Sequence, residues 1–202
     1  MFDLIIENDI AIGQFYKEKG EFDLANKFFF QCLKEKEITK LQKSKVYREI
    51  ALNLRRYSNY KQSWYYCLLA LDELEDKTSN EYYQLCFDIG AMYYKLNNFE
   101  ESNKCVNYLL NHCDVPQFIS LGKLLKALIL QELGENKEAQ KIYKELIQCP
   151  VDYTDFMYAN FHLSRSYFIE KEYDKALSYS QQALDCSLND YRRDLIRLLI
   201  FR

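Results

Sequence analysis

The chain has 202 residues, a formal net charge of −3 and 49% apolar residues, but only 5 Gly and 2 Pro. The length suits one domain or a short repeat array, and the scarcity of helix breakers favours an all-α fold. The acidic balance disfavours non-specific binding to nucleic acid or anionic membranes, and no apolar run reaches the ~20 residues of a membrane span.

The amino-terminal stretch MFDLIIENDIAIG lacks the basic segment of a secretory signal, and acidic residues interrupt its apolar run. The 7 cysteines are odd in number, widely spaced and without a CxxC pair. We therefore expect buried free thiols, with no metal site and no disulfide framework. The lack of a secretory signal and the expected free thiols together predict a cytoplasmic protein.

Start signals and breaker residues predict ten helices and an eleventh over about 190–202. Thr78 and Glu81 have capping-box spacing, Asp114 precedes Pro116, and Asp152 or Thr154 can cap the helix that follows. The ten helices cover roughly residues 3–18, 21–35, 40–57, 60–76, 79–95, 98–112, 116–132, 135–148, 154–170 and 173–187.

Small residues recur in pairs along these helices, and the two members of each pair are always twelve residues apart. The interval between pairs varies as 38, 39, 37 and 37 residues. A fixed internal distance with a variable external one predicts rigid helical hairpins joined by adjustable linkers. The pairs are Gly13 with Ala25, Ala51 with Ser63, Gly90 with Ser102, Ala127 with Ala139, and Ser164 with Ala176.

Two further features follow the same register. A large residue stands three positions after each first small residue, and a turn separates the two helices of each pair. Gly or Asn, which tolerate the left-handed conformation that ends a helix, occurs in four of the five turns, whereas the fifth has Lys171 and Glu172. The large residues are Tyr16, Leu54, Tyr93, Leu130 and Tyr167.

This pattern resembles the tetratricopeptide repeat, most closely in IGQFYKEKGEFDLANKFFFQC and LSRSYFIEKEYDKALSYSQQAL. Ser63 and Ser102 depart from the usual Ala, and the period exceeds the usual ~34 residues. The resemblance implies an all-α, right-handed superhelical solenoid that forms a single domain over 1–202. Its repeats would cover about 6–39, 44–77, 83–116, 120–153 and 157–190, followed by a terminal helix over 190–202.

In such solenoids the first helix of each hairpin lines a concave face. The resemblance implies a ligand-binding face that is basic in the second repeat and apolar or aromatic in the later ones. Such a face suits a short peptide or protein segment with an anionic end, with Arg48 and Arg55 as its anchors. The predicted ligand-binding residues are Gln14, Lys45, Arg48, Arg55, Gln84, Phe87, Tyr94, Leu124, Leu128, Phe161 and Arg165.

Two alternatives remain for these residues. The arginines could simply pair with carboxylates such as Glu49. Leu124, Leu128 and Phe161 could belong to the core if the assigned face is shifted by one residue. The carboxylate clamp of chaperone-binding repeat domains is disfavoured, since Ile10 and Gln14 occupy its first two positions.

The long, degenerate repeats in an aromatic- and lysine-rich background also resemble the carboxy-terminal domains of bacterial peptide-pheromone receptors of the Rap, NprR, PlcR and PrgX group. This resemblance implies a peptide sensor for quorum-sensing signalling. The alternative is a structural adaptor that holds two proteins together. Direct binding of nucleic acid is a weaker alternative, because the basic residues between Lys40 and Arg56 cluster on one helix of an acidic chain.

No catalytic function, cofactor or metal is expected. His112 and His162 are the only histidines and lie in different repeats, and no phosphate-binding, GxSxG or dinucleotide motif occurs. The acidic LDELED segment is expected to close a helix as a solvated face. The terminal DYRRDLIRLLIFR is apolar around most of a helix, which predicts either a homodimer or a natural chain that continues.

Overall fold

The computed structural model describes residues 2–186, and within them the chain forms ten α-helices, which confirms the all-α class. The predicted helix over 190–202 lies outside the described residues. The helices are α1 (Phe2–Glu18), α2 (Phe22–Cys32), α3 (Lys40–Arg56), α4 (Tyr60–Asp72), α5 (Asn80–Lys95), α6 (Phe99–His112), α7 (Pro116–Glu132), α8 (Asn136–Gln148), α9 (Tyr153–Ile169) and α10 (Tyr173–Asp185).

The chain forms two compact units, Met1–Cys105 and Val106–Arg202, with the boundary inside α6. In the first unit, α1 packs on α2 and α3 on α4. In the second unit, α7 packs on α8 and α9 on α10. Within each unit the helices therefore pair in the hairpins that the spacing of small residues predicts. The division of 1–202 into five repeats of one domain stays a prediction.

The small residues lie where the two helices of a hairpin approach closely, and all ten of them are buried. A methyl group added to Gly13 would lie 2.5 Å from the nearest carbon of the Phe29 ring, so this crossing requires glycine. Where serine replaces alanine, its hydroxyl spans the crossing. Ser63 donates to the carbonyl oxygen of Ala51, and Ser102 donates to that of Gly90, both at 2.8 Å.

All five hairpin turns share one backbone geometry. In each turn the residue seven positions after the first small residue has a positive φ, and the next amide donates to the carbonyl of the large residue that precedes the turn. This 6→1 bond is that of a Schellman motif. The fifth turn conforms without Gly or Asn. The φ angles are 80° at Gly20, 58° at Ser58, 59° at Asn97, 84° at Gly134 and 63° at Lys171.

Each unit has its own apolar cores beneath these crossings. In the first unit, one core centres on Phe29 and Ile50, and a second on Cys67 and Leu85. In the second unit, the main core joins Ala127, Ala139, Tyr143, Leu163, Tyr167 and Ala176. Small residues at the crossings let the large aromatic side chains of the same hairpins fill the remaining space.

Several predicted helix ends are wrong. The second helix ends at Cys32 and the fourth at Asp72, three or four residues earlier than predicted. The Asp76 carboxylate accepts hydrogen bonds from the amide and hydroxyl of Thr78, at 2.8 and 2.6 Å. Thr78 is therefore engaged in a turn, and Ser79 caps α5 in its place. Val115, rather than Asp114, precedes Pro116 as the cap of α7.

All seven cysteines are free thiols. Cys32, Cys67, Cys86 and Cys113 are buried, as expected, whereas Cys149 is exposed at the end of α8. Burial raises the thiol pKa of Cys86 to about 12 and contributes most to the rise of the Cys32 pKa to about 11. Their thiols are protonated at neutral pH and behave as small apolar side chains.

Candidate functional site

Every predicted ligand-binding residue keeps part of its side chain accessible. Gln14, Lys45 and Arg165 are exposed, and the other eight are half-buried. Their sequence neighbours on the same helices, such as Val46, Leu125 and Ala127, are buried. The helical face assigned from the sequence is therefore a surface within each unit. Whether these residues bind a ligand stays a prediction.

In the first unit, α3 directs Arg48 and Arg55 towards one carboxylate on α5. The Nε of Arg48 donates to Oδ2 of Asp88 at 2.7 Å, and Nη1 of Arg55 lies 3.7 Å from Oδ1 of the same residue. The Asp88 side chain is only 4% exposed, whereas those of Arg48 and Arg55 are 29% and 37% exposed. Both arginines thus pair with a buried carboxylate, while part of each arginine side chain faces solvent.

The lysines near these arginines also have carboxylate partners. Lys17 of α1 pairs with Glu49 of α3, and Nζ of Lys45 lies 3.9 Å from Oε1 of Glu81. Glu49 is therefore the partner of Lys17, and the arginines pair with Asp88 instead. Taken together, these four cations and three carboxylates leave an excess of one positive charge. We call Arg48, Arg55 and Asp88 the arginine cluster.

The other predicted residues of the first unit lie on α1 and α5. Gln84 and Phe87 are half-buried on α5, and Gln14 is exposed on α1. The Tyr94 ring contacts the Phe99 ring at a centroid distance of 5.8 Å, and Nζ of Lys95 lies 5.6 Å from the Tyr94 centroid. The surface of this unit therefore combines basic, amide and aromatic groups.

In the second unit, the predicted residues lie on α7 and α9. Leu124 packs against the main core, and Phe161 packs against Met157 and Ala183. Both remain half-buried rather than fully enclosed. The ring of His162 stacks near Tyr143, at a centroid distance of 5.9 Å, and meets Phe161 edge to face at 5.0 Å. Leu128 is half-buried on α7, and Arg165 is exposed on α9, one turn after Phe161.

Asp88 was not among the predicted site residues. It is four residues after Gln84 and therefore borders the assigned face of α5, but its side chain is buried against α3. The available signal was a single carboxylate within the apolar run QLCFDIGAMYY. A buried charge in such a run requires a cationic partner, and Arg48 and Arg55 provide it.

The arginine cluster also affects a neighbouring thiol. Burial, with a smaller contribution from the charge of Asp88, raises the pKa of Cys67 from 9.0 to about 12. The positive charges of Arg48 and Arg55 oppose this shift. Because the burial of Cys67 outweighs both arginines, its thiol stays protonated at neutral pH and behaves as part of the core.

A surface cavity of about 360 Å³ lies between the first residues of α3 and the segment that joins α4 to α5. Its carboxylates include Glu75, whose side chain is 79% exposed and lies 2.5 Å from Nζ of Lys40. Of the LDELED carboxylates, those of Asp72, Glu75 and Asp76 belong to exposed residues and that of Glu73 to a half-buried one; only Asp72 lies within α4. The charged lining residues are Lys40, Glu73, Glu75, Asp76 and Glu81.

Within residues 2–186, no group of three or more His, Cys, Asp or Glu side chains could hold a metal ion. No helix in that range is long and apolar enough to cross a membrane.

The exposed His112 stacks on Tyr108 at a centroid distance of 4.3 Å, and its Nδ1 lies 2.8 Å from the Tyr108 carbonyl oxygen.

Helical hairpins that cross at pairs of small residues, with a Schellman motif at every turn, define the tetratricopeptide class of helical-repeat fold. Solved structures with this fold are similar to the chain. The apo form of the quorum sensor NprR from B. thuringiensis is 17% identical, with a TM-score of 0.79 over 90% of this chain and 54% of that chain.

A Rap protein complexed with Competence and Sporulation Factor is 19% identical, with a TM-score of 0.81 over 97% of this chain and 58% of that one. MamA is 15% identical, with a TM-score of 0.61 over 87% of this chain and 94% of that one. No protein-family model and no curated protein matches the sequence. Both groups that the sequence resembles are thus represented among similar structures, and at these identities the likeness concerns the fold.

The chain spans just over half the length of the NprR and Rap structures that it resembles. It spans nearly all of MamA. The likeness to the two quorum-sensing proteins therefore covers a part of each.

Proposed function

We propose that this chain is a non-catalytic, cytoplasmic module that binds a short peptide or protein segment through the first helices of its hairpins. The observation that carries the proposal is the contrast between two sets of positions. Residues at the hairpin crossings are small and buried in every repeat, whereas those of the assigned face are accessible and differ between repeats. A scaffold explains the first set, and recognition of a ligand explains the second.

The most specific form of this proposal is the sensor part of a bacterial peptide-responsive regulator. It is supported by the fold likeness to the quorum sensor NprR and to a Rap protein whose structure contains Competence and Sporulation Factor. The chain matches a little more than half of each. A sensor should be stabilised by a peptide of roughly 5–10 residues, whereas an adaptor requires a folded partner.

The chemistry of the surface indicates what such a peptide should carry. The excess positive charge around the arginine cluster favours an anionic group, and the half-buried Leu128 and Phe161 of the second unit favour apolar side chains. The acidic net charge of the chain disfavours nucleic acid as the ligand. A homodimer formed through residues 190–202 stays a prediction, because these residues lie outside the described part of the chain.

The role of the arginines can be tested with Arg55→Ala. Arg55 is the better choice than Arg48, because its contact with Asp88 is the longer one and Arg48 continues to pair with the buried carboxylate. We expect at least a tenfold loss of affinity for peptides with an anionic end, since a charge-assisted contact is lost. The measurement is retention of a pool of synthetic heptapeptides with free carboxyl ends, read by mass spectrometry.

Arg56→Ala is the matched control, because Arg56 is exposed on the same helix but off the assigned face. This variant should retain the same peptides as the wild type. Equal retention by all three proteins would exclude Arg55 from the binding site. If the wild type retains no peptide but captures a folded protein, the adaptor is the better description.

A further inference from the structure

The fold buries the carboxylate of Asp88. Its side chain is 4% exposed, and it projects from α5 towards α3. Removing an ion from water costs several kcal/mol unless charged or hydrogen-bonding partners compensate. Among the described residues, its cationic partners within 4 Å are Arg48 and Arg55.

The two arginines are seven residues apart, which places their Cα atoms about 10 Å apart along α3. Each nevertheless reaches a different oxygen of one carboxylate: Arg48 reaches Oδ2 and Arg55 reaches Oδ1. Asp88 therefore draws the two guanidinium groups towards a common point. A guanidinium carries five N–H donors in a fixed plane, and Asp88 accepts a hydrogen bond from one of those of Arg48.

The charge of the arginine cluster is the sum of two cations and one anion, so it retains one positive charge. The anion lies on the buried side, and the accessible parts of both side chains lie on the solvent side. A ligand anion that approaches from solvent meets two guanidinium groups with a compensating charge behind them. One net positive charge balances the charge of a monoanion, but it balances only one of the two negative charges of a dianion.

We propose that Asp88 is a positioning residue that limits the charge of the arginine cluster, so that Arg48 and Arg55 together bind a single carboxylate in preference to a phosphate. This inference rests on the proposed function and names the anionic group of its ligand. The carboxylate belongs to a peptide carboxyl end or to an Asp or Glu side chain. If Asp88 instead only ties α3 to α5, its charge should not influence which anion binds.

The test uses small anions, so it does not depend on finding the peptide. The Nε–Hε resonances of Arg48 and Arg55 are followed by NMR while acetate or inorganic phosphate is added at pH 7.5. In the wild type we expect acetate to shift both resonances and to bind at least as tightly as phosphate, because the cluster carries one net positive charge. No shift with acetate, or phosphate binding tighter than acetate, would overturn the proposal.

The charge of Asp88 is then removed with Asp88→Asn, which keeps the size of the side chain and an acceptor for Arg48. We expect phosphate to gain about tenfold in affinity relative to acetate, because the cluster then carries two net positive charges. Glu81→Gln is the matched control: it removes one carboxylate from the same helix, at a pair with Lys45 that is about half exposed. A ratio unchanged in Asp88→Asn, or changed equally in Glu81→Gln, would refute the role of Asp88.

Two further ligands distinguish the sources of the carboxylate. N-acetylglycine represents a peptide carboxyl end, and N-acetylglutamate amide represents an acidic side chain, with the neutral N-acetylglutamine amide as the control. Tighter binding of one acid identifies the source, and equal binding of both acids supports a site for carboxylates in general. Failure of the chain to retain any peptide, with acetate still bound in the arginine cluster, would remove the proposed function and leave the anion site standing.

Discussion

Single ionisable side chains determine the chemistry of the first unit. Asp88 is buried beside two arginines that pair with it, whereas Cys67 is buried and neutral because burial outweighs the same arginines. A carboxylate and a neutral thiol thus share one environment. The pKa of Cys67 is set by the balance between burial, which raises it, and the nearby arginines, which lower it.

The thiol of Cys67 leads to a prediction about stability at high pH. Its pKa is raised, so the folded protein keeps a proton that the unfolded chain releases above pH 9. The stabilisation is therefore complete below pH 9 and decreases as the pH rises towards 12. Between pH 9 and 10 we expect the wild type to lose about 1 kcal/mol more free energy of unfolding than Cys67→Ala.

Urea unfolding in reducing buffer measures this difference. The comparison between the two proteins cancels the titration of tyrosines and of the other cysteines. Below pH 8 the difference between them should be independent of pH. Parallel pH profiles up to pH 10 would show that Cys67 is not protected from ionisation in the folded protein.

At the scale of elements, each hairpin is fixed by a close crossing and by its turn. The twelve-residue spacing places two small residues face to face, and the positive φ at the turn closes the pair. Gly13 is the strictest case, because the Phe29 ring occupies the space that any side chain would need. Phe29 is itself completely buried, so it has little room to move aside.

Gly13→Ala should therefore lower the free energy of unfolding by about 1–3 kcal/mol, as expected for an overpacked core. Chemical denaturation measures the change. In a Phe29→Leu background the same substitution should cost less, since the smaller side chain makes room for the methyl group. Equal costs in both backgrounds would show that the Phe29 ring is not the obstacle.

The helices and their pairing were predictable from the sequence because both depend on local features. Spacing of small residues, turn residues and capping signals are all read within one hairpin. The predicted end of α4 and the predicted cap of α5 were wrong. Thr78 does not cap α5, because its amide and hydroxyl donate hydrogen bonds to the Asp76 carboxylate. The link between Asp88 and Arg48 could not be predicted from periodicity, because it joins residues 40 positions apart on different hairpins.

At the scale of the whole chain, a net charge of −3 coexists with a local excess of positive charge. A surface of this kind attracts an anionic group at one place without binding polyanions in general. The repeats supply the scaffold, and the residues that differ between repeats supply the recognition. This division of roles predicts selective binding of short peptides.

The most direct measurement is affinity selection from a pool of synthetic peptides of 5 to 10 residues, with the chain at about 100 µM, so that weak binders are retained. After separation by size exclusion, the retained peptides are identified by mass spectrometry. The account predicts that a small subset is retained, enriched in apolar residues and carrying a carboxylate at one end. Retention of no peptide, or of peptides without any preference in sequence or charge, would contradict it.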